Sequence, residues 1–370
     1  SWPTVYIPDL SERFRLPPLS LFDSSDAALK VLPQQDTYRI YVCGITPYDA
    51  THLGHAATYL TFDLIIRYLK ATGADVKFVQ NVTDIDDPLF ERADRDGVDW
   101  KALGDSQIDL FRGDMSDLHV IPPDHYIGVV EAMPLVIDAV AKLDEKKSTY
   151  SVQGDKYFRV HADPHFGERS HLNENASLKI FAERGGDPQR DGKEHPLDAL
   201  VWLTSKPQQP TWPSSFGSGR PGWHIECSAM SIDFLDAAVD IHVGGIDLRF
   251  PHHENERAQS NSLTGHEVVQ TWVHGEHLLF EGRKMSKSAG NVVLLSDLIE
   301  RGLDPLSLRF ALLENRYRSQ MDLSWASLEA AHSTLRRWRK LMSEWGTSSE
   351  FKIDEEVTDS LSTDLDTPRT

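Results

Sequence analysis

Four residues of types that bind soft metal ions stand at scattered positions in the chain. Two of them, Cys43 and Cys227, are the only cysteines, whereas His252 and Glu256 are four residues apart. If the segment after residue 252 is helical, His252 and Glu256 lie one turn apart on one face and can reach the same point. Two thiolates, one imidazole and one carboxylate would form a zinc site of mixed ligands. Because the cysteines lack the paired spacing of common zinc motifs, they could equally be small buried hydrophobic side chains.

Two further motifs contain groups that bind phosphate. His52 and His55 stand just before a predicted helix, where free N–H groups attract anions and imidazoles can donate to a phosphoryl group. Lys284 and Lys287 lie in a loop flanked by serine and glycine, which suits a mobile clamp on a polyphosphate. Taken alone, the histidines could equally cap the helix, and the lysines could belong to a solvated basic turn.

The elements around the first histidine pair predict a nucleotide-binding architecture. Residues 38–43 form a predicted strand ended by Gly44, and apolar residues at helical spacing from about residue 55 predict a helix with Gly73 at its end. Residues 76–82 form a second predicted strand. Strand, helix and strand in so short a stretch predict an α/β fold with a doubly wound, Rossmann-type parallel sheet.

The remaining segments predict an insertion and a helical C-terminal region. Further helices are predicted at 128–143, at 224–234 and from about 253, with a hairpin around Gly154 and a strand at 239–243. The expected domains are an N-terminal arm (1–37), a catalytic domain in two halves (38–110 and 200–290), an inserted connective region (111–199) and a stem-contact-like, helical C-terminal region (291–370) that we expect to be truncated.

Composition excludes several classes of protein. The chain has 38 basic and 57 acidic side chains, a net charge of −19, which disfavours a large nucleic-acid interface but allows a local basic patch. Apolar residues make up 40% and charged residues 26%, as in globular proteins and unlike disordered ones. Two cysteines cannot build a disulfide scaffold, so we expect a cytoplasmic protein. No uncharged apolar run is long enough to cross a membrane, and no signal peptide is visible.

Taken together and in this order, the motifs resemble the class I aminoacyl-tRNA synthetases. The segment His52–His55 is similar to the HIGH signature of that family, and Lys284–Ser288 matches its KMSKS signature letter for letter. Four other segments resemble the cysteine-activating members, the cysteinyl-tRNA synthetases. These segments are Cys43–Thr46, Asn81–Asp87, Gly222–Met230 and Phe250–Glu256.

This resemblance implies a role for each candidate residue. One zinc ion per chain would be bound by Cys43, Cys227, His252 and Glu256. The catalytic groups would be His52 and His55 at the α-phosphate of ATP, with Lys284 and Lys287 at the departing pyrophosphate. Mg²⁺ would accompany ATP. Contacts to the substrate or its adenylate are implied for Cys43, Gly44, Ile45, Thr46, Thr58, Asn81, Val82, Thr83, Trp223, Gly245, Ile246 and Asp247.

Three features make the sequence more similar to mycothiol ligases, close relatives that join cysteine to the amine of glucosaminyl-inositol. The segment Glu183–Pro188 resembles one associated with those ligases. Ala57 stands where the synthetases usually carry arginine, and Ala50 and Thr51 precede the first signature as they do in the ligases. The implied substrates are ATP, L-cysteine and glucosaminyl-inositol. Cysteine would be joined to the sugar amine through a cysteinyl-adenylate, with release of AMP and pyrophosphate.

Two alternative functions remain. The first is a cysteinyl-tRNA synthetase, and the second is a non-catalytic, synthetase-like binding protein. Both signatures similar to phosphate-binding motifs are intact. This argues against the non-catalytic alternative, because a protein that only binds a partner needs neither signature. We expect a monomer that uses neither tRNA nor a membrane as partner.

Overall fold

The computed structural model describes residues 2–11, 14–204, 206, 209–286, 290–345 and 354–370. Its strands are β1 (Ser20–Asp23), β2 (Ala28–Val31), β3 (Thr37–Val42), β4 (Asp75–Val82), β5 (His125–Gly128), β6 (Thr149–Val152), β7 (Asp155–Phe158), β8 (Ala199–Thr204), β9 (Gly219–Pro221), β10 (Val239–Gly245), β11 (Val269–Gly275), β12 (Leu278–Phe280), β13 (Arg283–Lys284) and β14 (Met321–Leu323).

Helices cover both faces of the main sheet and make up most of the C-terminal region. They are α1 (Leu53–Ala71), α2 (Asp87–Asp96), α3 (Trp100–Asp117), α4 (Val129–Glu145), α5 (Glu174–Glu183), α6 (Trp223–Phe234), α7 (His252–Thr264), α8 (Leu295–Glu300), α9 (Leu306–Leu313), α10 (Trp325–Trp345) and α11 (Glu355–Ser362). No helix in the described part of the chain is both long enough and apolar enough to span a membrane.

The central sheet has five parallel strands in the order β11-β10-β3-β4-β5. The chain passes outward from β3 through β4 to β5, and then returns to the other side of β3 with β10 and β11. This order confirms the predicted doubly wound parallel sheet. Its switch point lies between β3 and β10, where the carboxyl ends of neighbouring strands leave a crevice for ligands.

Successive side chains of β3 pack in two different hydrophobic cores, one on each face of the sheet. Ile40 and Val42 pack in the core that includes α1, whereas Tyr41 and Cys43 pack in the core that includes α4 and α6. Because side chains of a strand alternate between the faces of a sheet, this register determines which helices Cys43 can meet. Cys43 therefore faces α6 and α7, while α1 covers the opposite face.

A buried carboxylate anchors α1 to the C-terminal helices. Asp63 is 1% exposed and pairs with Arg67 on its own helix and with Arg309 of α9, each at 2.5 Å. Its other oxygen accepts a hydrogen bond from the backbone N–H of Ile121 at 2.7 Å. Because Arg309 shares this buried carboxylate with Arg67, the contact ties α9 to the middle of α1.

The structure differs from the expected boundaries in two places. The predicted N-terminal arm contains an antiparallel hairpin, β1-β2, whose Leu21 is buried. Strand β5 of the central sheet lies within residues 111–199, the predicted insertion, and a second sheet of four strands, β6-β7-β8-β9, spans 149–221. The division into domains stays a prediction.

We expect Gly222→Ala to destabilise the fold by about 3 kcal/mol. Gly222 lies between β9 and α6, and an added Cβ there would be 1.9 Å from the backbone oxygen of Leu200. Gly113→Ala is the matched control, because nothing lies within 4 Å of its added Cβ and alanine favours the helix. Denaturant unfolding followed by circular dichroism measures the stability of both variants. A Gly222→Ala unfolding midpoint equal to that of wild type would contradict this packing.

Candidate active site

Four side chains of metal-binding type meet beneath the carboxyl end of β3. Cys43 follows β3 directly and Cys227 lies in α6, while His252 and Glu256 lie one turn apart in α7. One ligand atom of each lies within 4.8 Å of every other, and all four residues are buried. His252 Nε2 is 3.0 Å from Glu256 Oε1. The structure thus brings together the four residues predicted as zinc ligands, which we call the metal group.

The chemistry of this metal group fits a bound cation. Glu256 is 1% exposed, and its Oε2 lies 3.3 Å from His242 Nε2 but accepts no hydrogen bond from a described residue. A buried carboxyl oxygen without a partner is costly unless a positive charge compensates it. Two sulfurs, one nitrogen and one oxygen form a donor set that suits zinc and other borderline-soft metals better than Mg²⁺ or Ca²⁺.

Burial controls the protonation of the metal group. It raises the pKa of Cys43 and of Glu256 well above their usual values. Burial also acts to raise the pKa of Cys227, but its hydrogen bond with Cys43 and the neighbouring His252 outweigh burial and lower that pKa to about 7. A metal ion binds thiolates and not thiols, so it would have to displace protons here.

Neutral histidines surround the metal group. Burial lowers the pKa of His224, His242 and His253 well below the usual value, so their rings are uncharged at neutral pH. His252 Nδ1 lies 2.9 Å from His224 Nδ1, and one of these nitrogens donates to the other. Trp223 stacks on His252 with ring centroids 4.1 Å apart. Together these contacts orient the imidazole of His252, as the outer partners of a metal ligand do.

The predicted phosphate-binding histidines lie at the start of α1, at the switch point of the sheet. His52 is the N-cap residue, and its Nδ1 accepts a hydrogen bond from the backbone N–H of Gly54 at 3.1 Å. The rings of His52 and His55 lie 4.1 Å apart. Thr58 follows one turn later and donates to the backbone oxygen of Gly54 at 3.2 Å. The histidines therefore do cap the helix, and the cap also fixes both imidazoles at a helix N-terminus that attracts anions.

The loop that begins with Lys284 packs against this histidine pair. A Cβ added to Gly54 would lie 3.5 Å from Cε of the buried Met285, and the backbone N–H of Leu53 donates to the oxygen of Val293 at 2.9 Å. The side chain of Asn291 bridges the two ends of the loop, since it accepts from the N–H of Ser286 and donates to the oxygen of Lys284.

Lys284 itself is exposed. Lys287 lies outside the described residues, so the structure places only one of the two predicted lysines.

Predicted substrate residues cluster at the carboxyl ends of β3 and β4. Gly44 donates to the side-chain oxygen of Asn81 at 2.8 Å, and an added Cβ at Gly44 would be 1.6 Å from the backbone oxygen of the same residue. Thr83 donates its N–H to the oxygen of Ile45 at 2.9 Å. These contacts leave no room for a side chain at Gly44. The neighbouring Val82 is buried, and Thr46 is partly exposed.

The predicted adenosine-binding segment follows β10 across the switch point. Gly245 ends the strand, and Ile246 and Asp247 begin a short 3-10 helix. An added Cβ at Gly245 would lie 2.5 Å from Oδ1 of Asp247. Asp247 is exposed, so its carboxylate is free to meet a ligand that lies over the strand end.

Beside the metal group opens a cavity of about 690 Å³, a size typical of small-molecule sites. Thr46, Trp223 and Asp247 line one side of it. The structure therefore gathers residues of three separate predicted segments around one space. The remaining walls come from α2, α6 and the inserted sheet, and we call this space the main cavity.

Comparisons with known proteins identify the family. The tRNA synthetases class I (C) catalytic domain family matches residues 30–333. The L-cysteine:1D-myo-inositol 2-amino-2-deoxy-alpha-D-glucopyranoside ligase of Thermomonospora curvata is 48% identical over 100% of this chain and 90% of that protein. The ligase of the same name from Streptomyces griseus is 46% identical over 100% of this chain and 90% of its own length. The chain belongs to this ligase family.

Two solved structures share the fold of this ligase family member. Mycobacterium tuberculosis methionyl-tRNA synthetase in complex with methionyl-adenylate has a TM-score of 0.65 and 17% identity, over 88% of this chain and 76% of that chain. The Agrobacterium radiobacter K84 agnB2 LeuRS in its ternary complex has a TM-score of 0.64 and 11% identity, over 90% of this chain and 76% of that chain. At such identities the likeness establishes the class I synthetase fold alone.

Sequence reasoning missed several residues of this site. His242 and His253 form a second metal-binding combination with Cys43 and Glu256, but the motifs in the sequence had assigned a role to neither histidine. A signal was present for His253, which stands three residues before Glu256 and so shares its helix face. For His242 no local signal exists, because its contact with α7 depends on strand order.

For the metal group, we expect affinity for zinc to fall by about tenfold or more for each pH unit below 7. At those pH values Cys227 joins Cys43 in binding a proton, and each proton competes with the metal. Competition with a coloured chelator between pH 5 and 8 measures the slope. Affinity independent of pH would show that the thiols are not ligands. Cys43→Ala should abolish tight binding, with circular dichroism as the control for folding.

Proposed function

We propose that this chain uses ATP to activate L-cysteine as cysteinyl-adenylate and then transfers the cysteinyl group to the amine of glucosaminyl-inositol. The single structural observation that carries the proposal is the position of the metal group. It lies beside the switch point at which α1 presents His52 and His55. A site for a thiol and a site for a phosphate thus adjoin, as activation of cysteine requires. The names of relatives that are 45–48% identical supply the acceptor.

In the first step the carboxylate oxygen of cysteine attacks the α-phosphorus of ATP. The bond to the β-phosphate bridging oxygen breaks, and pyrophosphate leaves with that electron pair. We assign His52 and His55 to donate hydrogen bonds to the α-phosphate oxygens, on which negative charge increases in the transition state. Lys284 and Lys287 neutralise the pyrophosphate. Mg²⁺ bound to the phosphates of ATP shares that task.

The adenylate is held by the strand ends. Asp247 accepts from the ribose hydroxyls, and the close backbone approach at Gly245 and Ile246 leaves room for the adenosine. Thr46 and Trp223 close the cysteine pocket. Around the carboxyl group of cysteine we place Thr58 of α1 and the remaining predicted residues at strand ends, namely Gly44, Ile45, Asn81, Val82 and Thr83. These residues position the reacting atoms.

In the second step the acceptor amine attacks the carbonyl carbon of the adenylate. The amine reacts as its free base, so its ammonium form first loses one proton. A second proton leaves the nitrogen when the carbon–oxygen bond breaks and AMP departs with the electron pair. The product is an amide, which resists base better than an ester does.

Zinc bound by Cys43, Cys227, His252 and Glu256 would supply a bond to the thiolate of cysteine. Serine and alanine offer no such ligand, so selection of cysteine requires no separate editing step. The residues of the metal group and the stacked Trp223 shape the pocket around that thiol.

Cysteine should support ATP–pyrophosphate exchange at least about tenfold better than serine, because only a thiol offers a soft ligand. The measurement compares exchange rates with each amino acid at equal concentration in the zinc-loaded protein. Gly113→Ala serves as the control that variant handling leaves exchange intact, because no described atom lies within 4 Å of its added Cβ. Comparable rates with serine would contradict selection at the metal group.

With glucosaminyl-inositol as acceptor, a base-stable cysteinyl amide should form. The rate should change little between low and moderate salt, because a neutral-to-cationic sugar makes none of the phosphate contacts that salt weakens. Product is detected by mass spectrometry before and after mild alkali, with tRNA as the competing acceptor. Base-labile cysteinyl-tRNA in place of the amide would overturn the proposal in favour of a synthetase.

A further inference from the structure

Asp114 is a carboxyl side chain of α3 that has no part in the proposed function but contacts the residue just before His52. That residue, Thr51, is 7% exposed, and its Oγ1 donates to Oδ2 of Asp114 at 2.9 Å. Burial raises the pKa of Asp114 to about 6, whereas the hydrogen bond from Thr51 opposes that rise, so at pH 8 the carboxyl group is ionised. A hydrogen bond to a carboxylate holds its donor more firmly than one between neutral groups does.

Packing of α3 against α1 fixes the position of this carboxylate. Phe111 of α3 is fully buried and meets Tyr59 of α1 edge-on, with ring centroids 5.0 Å apart. Met115, the residue after Asp114, is also buried. Because residues three apart in a helix lie on neighbouring positions of its surface, Asp114 reaches Thr51 from beside the packed ring of Phe111.

The peptide group between Thr51 and His52 passes this constraint on to His55. Its N–H donates to Nδ1 of His55 at 3.3 Å, and the N–H of Gly54 donates to Nδ1 of His52 at 3.1 Å. A backbone N–H can only donate, so each Nδ1 accepts and the proton of each neutral ring lies on Nε2. Both Nε2–H groups can then donate to a phosphate oxygen.

The orientation of His55 depends on the direction of that peptide group. His55 is exposed, so burial in a core does not fix its imidazole. If the Thr51–His52 peptide turns, the donor to Nδ1 turns with it, and the Nε2–H on the other side of the ring changes direction. Small errors in the direction of a catalytic donor reduce rates strongly.

We propose that Asp114 is a positioning residue, which holds Thr51 so that the Thr51–His52 peptide directs the Nε2–H of His55 at the α-phosphate of ATP. This inference rests on the proposed function, because it assumes that cysteine is activated at these histidines. A misdirected donor stabilises the transition state less and leaves the binding of cysteine and zinc unaltered. The contact therefore acts on the kcat of activation.

The test compares Thr51→Val, which removes the hydroxyl at nearly constant size, with Thr51→Ser, which keeps the hydroxyl. In cysteine-dependent ATP–pyrophosphate exchange at pH 8, Thr51→Val should lower kcat about tenfold and leave the KM for ATP and for cysteine within about twofold. Thr51→Ser should stay within about twofold of the wild-type kcat, because it restores the donor.

Thr149→Val is the matched control for loss of a buried threonine–aspartate hydrogen bond. Thr149 of β6 is 5% exposed, and its Oγ1 donates to Asp144 at 2.5 Å. Exchange by Thr149→Val should equal that of wild type. Circular dichroism and zinc content check that every variant is folded and loaded.

Several results would overturn the positioning role. One is an unchanged kcat in Thr51→Val, and another is a Thr51→Ser variant as slow as Thr51→Val, since methyl packing would then matter instead of the hydroxyl. A raised KM for cysteine or a loss of zinc would reveal a structural role only. If Thr51→Val does not fold, Thr51→Ala and Thr51→Ser form the pair that differs by the hydroxyl, with the same expected results.

Asp114→Ala tests whether the carboxylate acts through Thr51. It should lower kcat as Thr51→Val does, and the double variant should be no slower than either single one, because the same hydrogen bond is lost. Defects that multiply would show independent roles and overturn the proposal. If wild type shows no cysteine-dependent exchange, the proposed function fails. If wild type exchanges and Thr51→Val has an unchanged kcat, the positioning role alone fails.

Discussion

The parallel pairing of β3 with β10 is the constraint on which the rest of the site depends. It creates the switch point, and the register of β3 then turns Cys43 towards α6 and α7 while α1 begins from the following loop on the opposite face. The metal group and the predicted phosphate-binding histidines thus approach each other across the end of a single strand. No shift of one residue in β3 would preserve this arrangement, because every side chain would change faces.

Burial gives the metal group its chemical character. Four potential ligands with neutral histidines around them lie in a region that water does not reach, so their charges are balanced by one another and by what they bind. The stacked ring of Trp223 and the contact from His224 hold His252 in one orientation. A buried site of this kind would discriminate by the type of ligand atom, as the proposed selection of a thiol over a hydroxyl requires.

Features that depend on local sequence could be predicted, and those that depend on strand order could not. The helical turn that brings His252 to Glu256 and the helix start at His52 follow from spacing along the chain. The approach of His242 to Glu256 and the unpartnered oxygen of Glu226 arise from elements far apart in sequence. Glu226 stands inside a recognised segment, but only the structure reveals that its Oε2 has no hydrogen-bond partner among the described residues.

The buried contact of Asp63 with Arg309 has a consequence for how the protein melts. Helix α1 carries His52 and His55 at one end and this carboxylate in its middle, so detachment of α9 would remove one of the two cations that Asp63 contacts in the core. The contact therefore couples α9 to the helix that begins at the switch point of the sheet. Loss of α9 on heating would also weaken the anchoring of α1, and with it the cap that holds His52 and His55 in place.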